Sequence, residues 1–221
     1  MPLHDIARLE FAYLPMFRTR KKPLVLHRLM VEQASLFVEV VTAVFKPEHG
    51  DAPAVEEGAK RLATAAYGLL EGLNTLPGQV DDQIDVVKLL AWCLKVRELA
   101  TNADRLSMAE QRMGHMFARA PADPADGAWP HAAVRVAIEK MASDHLERGL
   151  SIARVNLRGV YSKQLGEGGK QERGLAAEAL RWAEAMPQFP RTAAMLRQVS
   201  ENWNRYAVQA DLEAEADSLK W

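Results

Sequence analysis

The chain has 221 residues, 48% apolar and 26% charged. This balance excludes wholesale disorder and allows one large helical domain or two small ones sharing an interface. A formal net charge of −1 supplies no global field to draw the chain to nucleic acid or to an anionic membrane. Its one cysteine, Cys93, rules out an internal disulfide and fits a reducing compartment.

From the start, Met1 to Phe17 is interrupted by Asp5, Arg8 and Glu10, so it reads as a helix over His4 to Met16 and not as a signal peptide. A basic connector, Arg18, Arg20, Lys21, Lys22 and Pro23, leads to a second helix over Leu24 to Gln33. Ser35 is the expected cap of a third, ending near Pro47, and Pro53 suits the first turn of a fourth that ends near Leu73. Asp82 is the expected cap of a long helix with Ile84, Val87, Ala91 and Leu94 on its inner face. A fresh start is expected at Ser107, which with Glu110 has capping-box spacing. Pro121 to Gly127 reads as the clearest linker, dividing 1–120 from 130–221 if the chain divides at all, and Pro130 opens the next helix. Asp144 to Asn156 is helical, a Gly-containing loop runs from Arg158 to Lys170, and two helices then form a hairpin across Met186 to Pro190. In its second arm Leu196, Val199, Trp203, Tyr206 and Ala210 make a three-four packing seam. Strand-type alternation is nearly absent, and no stretch approaches the roughly 18 uncharged apolar residues of a membrane span. The expectation is an all-α, multi-helix bundle or irregular α-solenoid of about eight or nine antiparallel helices in the cytoplasm.

The Gly-rich stretch Leu165-Gly-Glu-Gly-Gly-Lys-Gln-Glu172 invites a phosphate-loop reading and fails it. Gln164 stands where the first Gly belongs, and Gln171 replaces the hydroxyl residue that would hold magnesium. The six histidines (His4, His27, His49, His115, His131, His145) lie in separate segments without metal-ligand spacing. Cys93, inside Leu90-Ala-Trp-Cys-Leu94, reads as a buried inert thiol. The run Arg18 to Arg28 lacks the interleaved aromatics of a nucleic-acid stacking platform. Trp129, beside Pro130, and Trp221 would mark a docking surface if exposed. No cofactor and no metal are expected.

Three blocks carry a resemblance. The first is Glu10-Phe-Ala-Tyr-Leu-Pro15 with Leu26-His-Arg28 and Phe37-Val-Glu39. The second is Ala120-Pro-Ala-Asp-Pro124 with Gly127-Ala-Trp-Pro130. The third is Arg158-Gly-Val160, Gly166 to Gly169, Gln171-Glu-Arg173 and Pro190-Arg-Thr-Ala193. Together they resemble the C-terminal helical region of large, poorly characterised bacterial multidomain proteins of NTPase type, some associated with defence. The resemblance covers about Glu10 to Asp217 and includes no NTPase module. It implies that Asn156, Arg158, Gly159, Tyr161, Gly166, Gly168, Gly169, Gln171, Glu172 and Arg173 form the functional surface. A simpler role for Arg158 and Glu172 is to pair across the loop and hold two helices in register. The functional expectation is a helical interaction or sensor module that contacts a protein partner. Its rivals are an enzyme assembled from His115, His145, Arg158 and Glu172, or a nucleic-acid-binding module.

Overall fold

A computed structural model describes residues 3–13, 24–49, 57–164 and 166–218. Pro15, the connector Arg18 to Pro23, Pro53, Leu165 and Trp221 lie outside the described residues. Those described form ten helices and one small hairpin. The helices are α1 (Leu3–Tyr13), α2 (Leu24–Glu32), α3 (Ala34–Val44), α4 (Glu57–Gly72), α5 (Val86–Asn102), α6 (Leu106–Phe117), α7 (Ala132–Met141), α8 (Asp144–Asn156), α9 (Lys170–Glu184) and α10 (Pro190–Ser218). Strands β1 (Gln79–Val80) and β2 (Gln83–Ile84) pair antiparallel, with Val80 opposite Gln83. The protein is therefore all-α, with ten helices where eight or nine were expected.

Several helix starts differ from the sequence expectation, some through a different local cap and one through a partner far along the chain. Asp85, not Asp82, caps α5, accepting from Val87 N (2.9 Å) and Lys88 N (3.1 Å). Asp82 instead lies in the turn between β1 and β2. The inner face of α5 shifts accordingly: Leu89, Trp92, Cys93, Val96 and Ala100 are buried, whereas Val87 and Leu94 face solvent. Gln33, not Ser35, precedes α3. The Ser107–Glu110 box does not form. Ser107 N donates to Glu48 Oε1 (2.5 Å) from the loop after α3, and Glu110 is buried between Arg97 and the Ser143 hydroxyl. Glu10 of α1 supplies a cap across the chain, accepting from Val25 N (3.2 Å) and Leu26 N (2.8 Å) at the start of α2.

The stretch 120–131 is not an open linker. Trp129 is 3% exposed and its indole N–H donates to Ala120 O (2.9 Å), so it does not mark a docking surface. Arg135, 1% exposed, reaches Pro130 O (2.6 Å), Ala128 O and both oxygens of Asp126. Pro130, joined to Trp129 by a cis bond, precedes α7 by two residues, and His131 caps that helix through Nδ1 (3.1 Å to Ala133 N). One continuous apolar cluster draws on both sides of this stretch, from Ala7 to Leu196. A smaller one, Ala176, Ala179, Val199 and Trp203, lies between α9 and α10.

The tightest junction is that of α6 with α8. A Cβ on Gly114 would overlap Leu146 O and come within 2.6 Å of Leu150 N; one on Gly149 would overlap Gln111 O. The two backbones touch because neither glycine has a side chain. They also run in the same sense, with α7 between them in the chain. Glu110 meets Ser143 near both starts, while His115 and Ala153 line one cleft near both ends.

Gly114→Ala or Gly149→Ala therefore pushes backbone against backbone and should cost about 1–3 kcal/mol, lowering the melting temperature by roughly 2–4 °C for each kcal/mol. Gly174→Ala in α9, with open space at its Cβ, should instead be neutral or raise stability by up to about 1 kcal/mol. Equal melting temperatures for all three variants would remove the backbone contact.

Candidate functional site around the end of helix α8

The loop after α8 is held from within. Gly159 (φ 66°), Gly166 (φ 76°) and Gly168 (φ 60°) take left-handed conformations that favour glycine. Lys163 Nζ donates to Gly168 O (2.9 Å), and Gln164 N donates to Glu167 Oε2 (2.9 Å). Gln171 Nε2 donates to Ser162 O (2.9 Å). Gly169 sits against α10, where a Cβ would overlap Ala207 O, and its N–H donates to Asp211 Oδ1 (2.7 Å). Arg173 pairs with the same aspartate.

Glu172, in the first turn of α9, is buried beneath this loop. Arg158 Nη1 donates to its Oε1 (2.6 Å) and Nη2 to Gln171 Oε1 (2.9 Å). Lys163 Nζ stands 2.9 Å from Glu172 Oε2, a charge contact outside hydrogen-bond geometry. Burial pushes the Glu172 carboxyl up, and the contacts with Arg158 and Lys163 outweigh it, leaving it below the ordinary glutamate range. The Arg158 guanidinium also lies 3.3 Å from the centre of the Tyr161 ring and 5.4 Å from that of Trp203.

Of the ten residues singled out in the sequence, Asn156, Arg158, Gly159, Tyr161 and Glu172 line one cleft of about 410 Å³ with Trp203, Tyr206 and Glu213. Gly166, Gly168, Gly169, Gln171 and Arg173 do not; the last four brace the loop against α9 and α10. Arg158 and Glu172 do pair across the loop, as the simpler role requires.

Two further clefts meet the first at Asn156. A groove of about 640 Å³ between α8 and α10 is lined by Arg148, Ile152, Val155, Met195, Gln198 and Tyr206, among others. A smaller cleft of about 290 Å³ lies between α4, α6 and α8, bounded by Tyr67, Glu71, His115, Arg119 and Leu157. The exposed apolar side chains Tyr67, Ile152, Leu157, Tyr161 and Tyr206 belong to these clefts, and Val160 stands fully exposed beside them. Sequence reasoning missed most of this surface. Tyr206 was expected in the α9–α10 seam and is half-exposed instead, because Ala207 takes the inward position. Tyr67, Arg119 and Ile152 carried no local signal.

Behind the smaller cleft the buried Arg112 lies 5.2 Å from the centre of the Phe45 ring and 4.8 Å from that of Tyr67, and it pairs with Glu71. His115 Nδ1 lies 3.4 Å from Arg112 Nη1. A guanidinium only donates, and His115 Nε2 is buried without a hydrogen-bond partner among the described residues. Burial, with the charges of Arg112 and Arg119, lowers the His115 pKa against the pull of Glu71.

The enzyme arrangement is not assembled. Arg158 and Glu172 close on each other, His115 faces a different cleft, and His145 is exposed in the first turn of α8. Cys93 is fully buried, and burial pushes its thiol up to about 12. Among the described residues one group has metal-ligand proximity: Glu48, His49 and Asp104. Each is already engaged: His49 binds both Asp104 oxygens (2.7 and 2.9 Å) and Glu48 holds Ser107 N. They fasten the loop after α3 onto the α5–α6 junction. Comparison of the chain with protein-family models, curated proteins and solved structures returns no match.

Arg158→Met leaves the buried Glu172 with Lys163 as its one cationic partner, at a cost of about 3–5 kcal/mol; adding Glu172→Met should recover most of it. A thermal melt in which Arg158→Met matches the parent would show the pair to be solvated. Because the folded Glu172 pKa is depressed, its stabilisation holds above the unfolded value near 4.5 and is lost as pH falls through the folded one.

His115 also has a depressed folded pKa. Its neutral form stabilises the fold above about pH 6.5, and that contribution fades as pH falls below this value. In denaturant titrations between about pH 5 and 7, His115→Gln should flatten the stability profile. An unchanged slope would separate His115 from the acid response.

Proposed function

We propose that this protein is a non-catalytic helical interaction module whose docking surface is the end of α8 with the three clefts around it. The observation that carries the reading is the convergence at Asn156. Three concave surfaces share this residue, and exposed tyrosines from three segments (Tyr67, Tyr161, Tyr206) surround it. Aromatic anchors beside concave, partly apolar surfaces are what protein interfaces use. The Asn156 carboxamide makes no hydrogen bond among the described residues, so one donor group and one acceptor remain for a partner's backbone.

The scaffold behind it suits recognition. The Arg158–Glu172 pair and the loop's contacts with α10 hold Tyr161 without help from a ligand, which keeps the ordering cost of binding low. The sequence resemblance to a helical region attached to NTPase-type proteins supports the same reading, with any nucleotide chemistry lying outside these residues. No helix among the described residues is long and apolar enough to cross a membrane.

A photo-crosslinking amino acid at position 160, compared with one at the exposed Val87 on α5, tests the surface in cells. Position 160 should yield a discrete protein adduct that position 87 does not. Tyr161→Ala or Tyr206→Ala should weaken binding of that same partner by about 2 kcal/mol, roughly 30-fold, while the melting temperature falls by only a few degrees. Identical adducts from both positions, or indifference to both tyrosines, would count against the surface.

A further inference from the structure

The charges lining the three clefts are unevenly answered. Every lining carboxylate has a partner on its own chain: Glu71 has Arg112, Glu147 has Arg191, Glu172 has Arg158 and Lys163, and Glu213 accepts from Gln209 Nε2 (3.0 Å). Two lining cations have no carboxylate. Arg148 makes no hydrogen bond or ion pair among the described residues, and Arg119 makes one long bond, 3.3 Å, to Glu71 O. They flank α8 from opposite sides, Arg148 in the groove towards α10 and Arg119 in the cleft towards α4 and α6. The outward stripe of α8 runs from Arg148 through Ile152 to Asn156, spaced one turn apart.

From this we infer that the surface at the end of α8 receives an acidic, amphipathic helical segment of a partner protein. The inference rests on the docking reading above and adds the partner's chemistry. An apolar ridge on such a segment fills the α8–α10 groove over Ile152, Val155 and Met195, and flanking carboxylates meet Arg148 and Arg119. A basic segment would desolvate these arginines against like charge. A helix is preferred to a strand because the groove lies between helices, with one wall running from Ala194 to Tyr206, about 18 Å at 1.5 Å per residue. Nucleic acid is the poorer match, since two unanswered arginines over an aliphatic floor supply little phosphate neutralisation.

The test uses the full chain and two synthetic helical peptides of about 18 residues, sharing one Leu/Phe ridge, with Glu at the polar positions of one and Lys in the other. Single-stranded oligothymidylate is the third probe, and binding is followed by fluorescence anisotropy at low and high salt. The Glu peptide should bind at least about tenfold tighter than the Lys peptide, a difference of about 1.4 kcal/mol. Its advantage should shrink with salt and vanish in Arg119→Glu/Arg148→Glu, whose melting temperature should match the parent's. Equal binding of both peptides, weakened alike by Tyr161→Ala, would overturn the acidic partner and keep the docking surface. Tighter binding of the oligonucleotide, or none by either peptide, would overturn the acidic helix, and the crosslink at position 160 would still decide docking by itself.

Discussion

The backbone contact between α6 and α8 sets where the candidate surface lies. At Gly114 and Gly149 each helix occupies the space where the other would carry a side chain, so the crossing depends on the absence of two methyl groups. From it α8 runs forward until its last turn stands between α10 on one side and the α4–α6 pair on the other. The three clefts that meet at Asn156 are the spaces left around that turn. Glycine costs about 0.5–1 kcal/mol in a helix relative to alanine, and here the close packing it permits offsets that cost.

Buried ion pairs supply the second constraint, and they act on register more than on net stability. Glu110 joins α5, α6 and the start of α8 through Arg97 and Ser143. Glu172 ties the loop to α9, and Arg135 holds the turn at 126–130. Removing a carboxylate from water costs several kcal/mol, which its partners offset only with good geometry. Such a group tolerates few alternative placements, so the loop that presents Tyr161 is held in one arrangement. Stiff support lies beneath the exposed Tyr161, and Arg148 and Arg119 stand nearby without a carboxylate partner among the described residues.

The fold class was open to sequence reasoning because helical periodicity and Gly/Pro punctuation are local. The boundaries of α8, the hairpin turn at 186–190 and the inert Cys93 are visible for the same reason. Part of the candidate surface was legible too: Asn156, Arg158, Gly159, Tyr161 and Glu172 do share a cleft. Their companions Tyr67, Arg119 and Tyr206 were not, since each comes from a distant segment and looks ordinary within its own helix. Helix starts failed where the donor groups found partners far along the chain, as Ser107 found Glu48.

Which segments coil is written into the chain locally, because side-chain entropy and apolar spacing act within a few residues. Which faces turn inward, which glycines touch and which charges go unanswered were settled by tertiary packing alone. Each of those depends on the approach of residues tens of positions apart, and on how water is excluded where they meet.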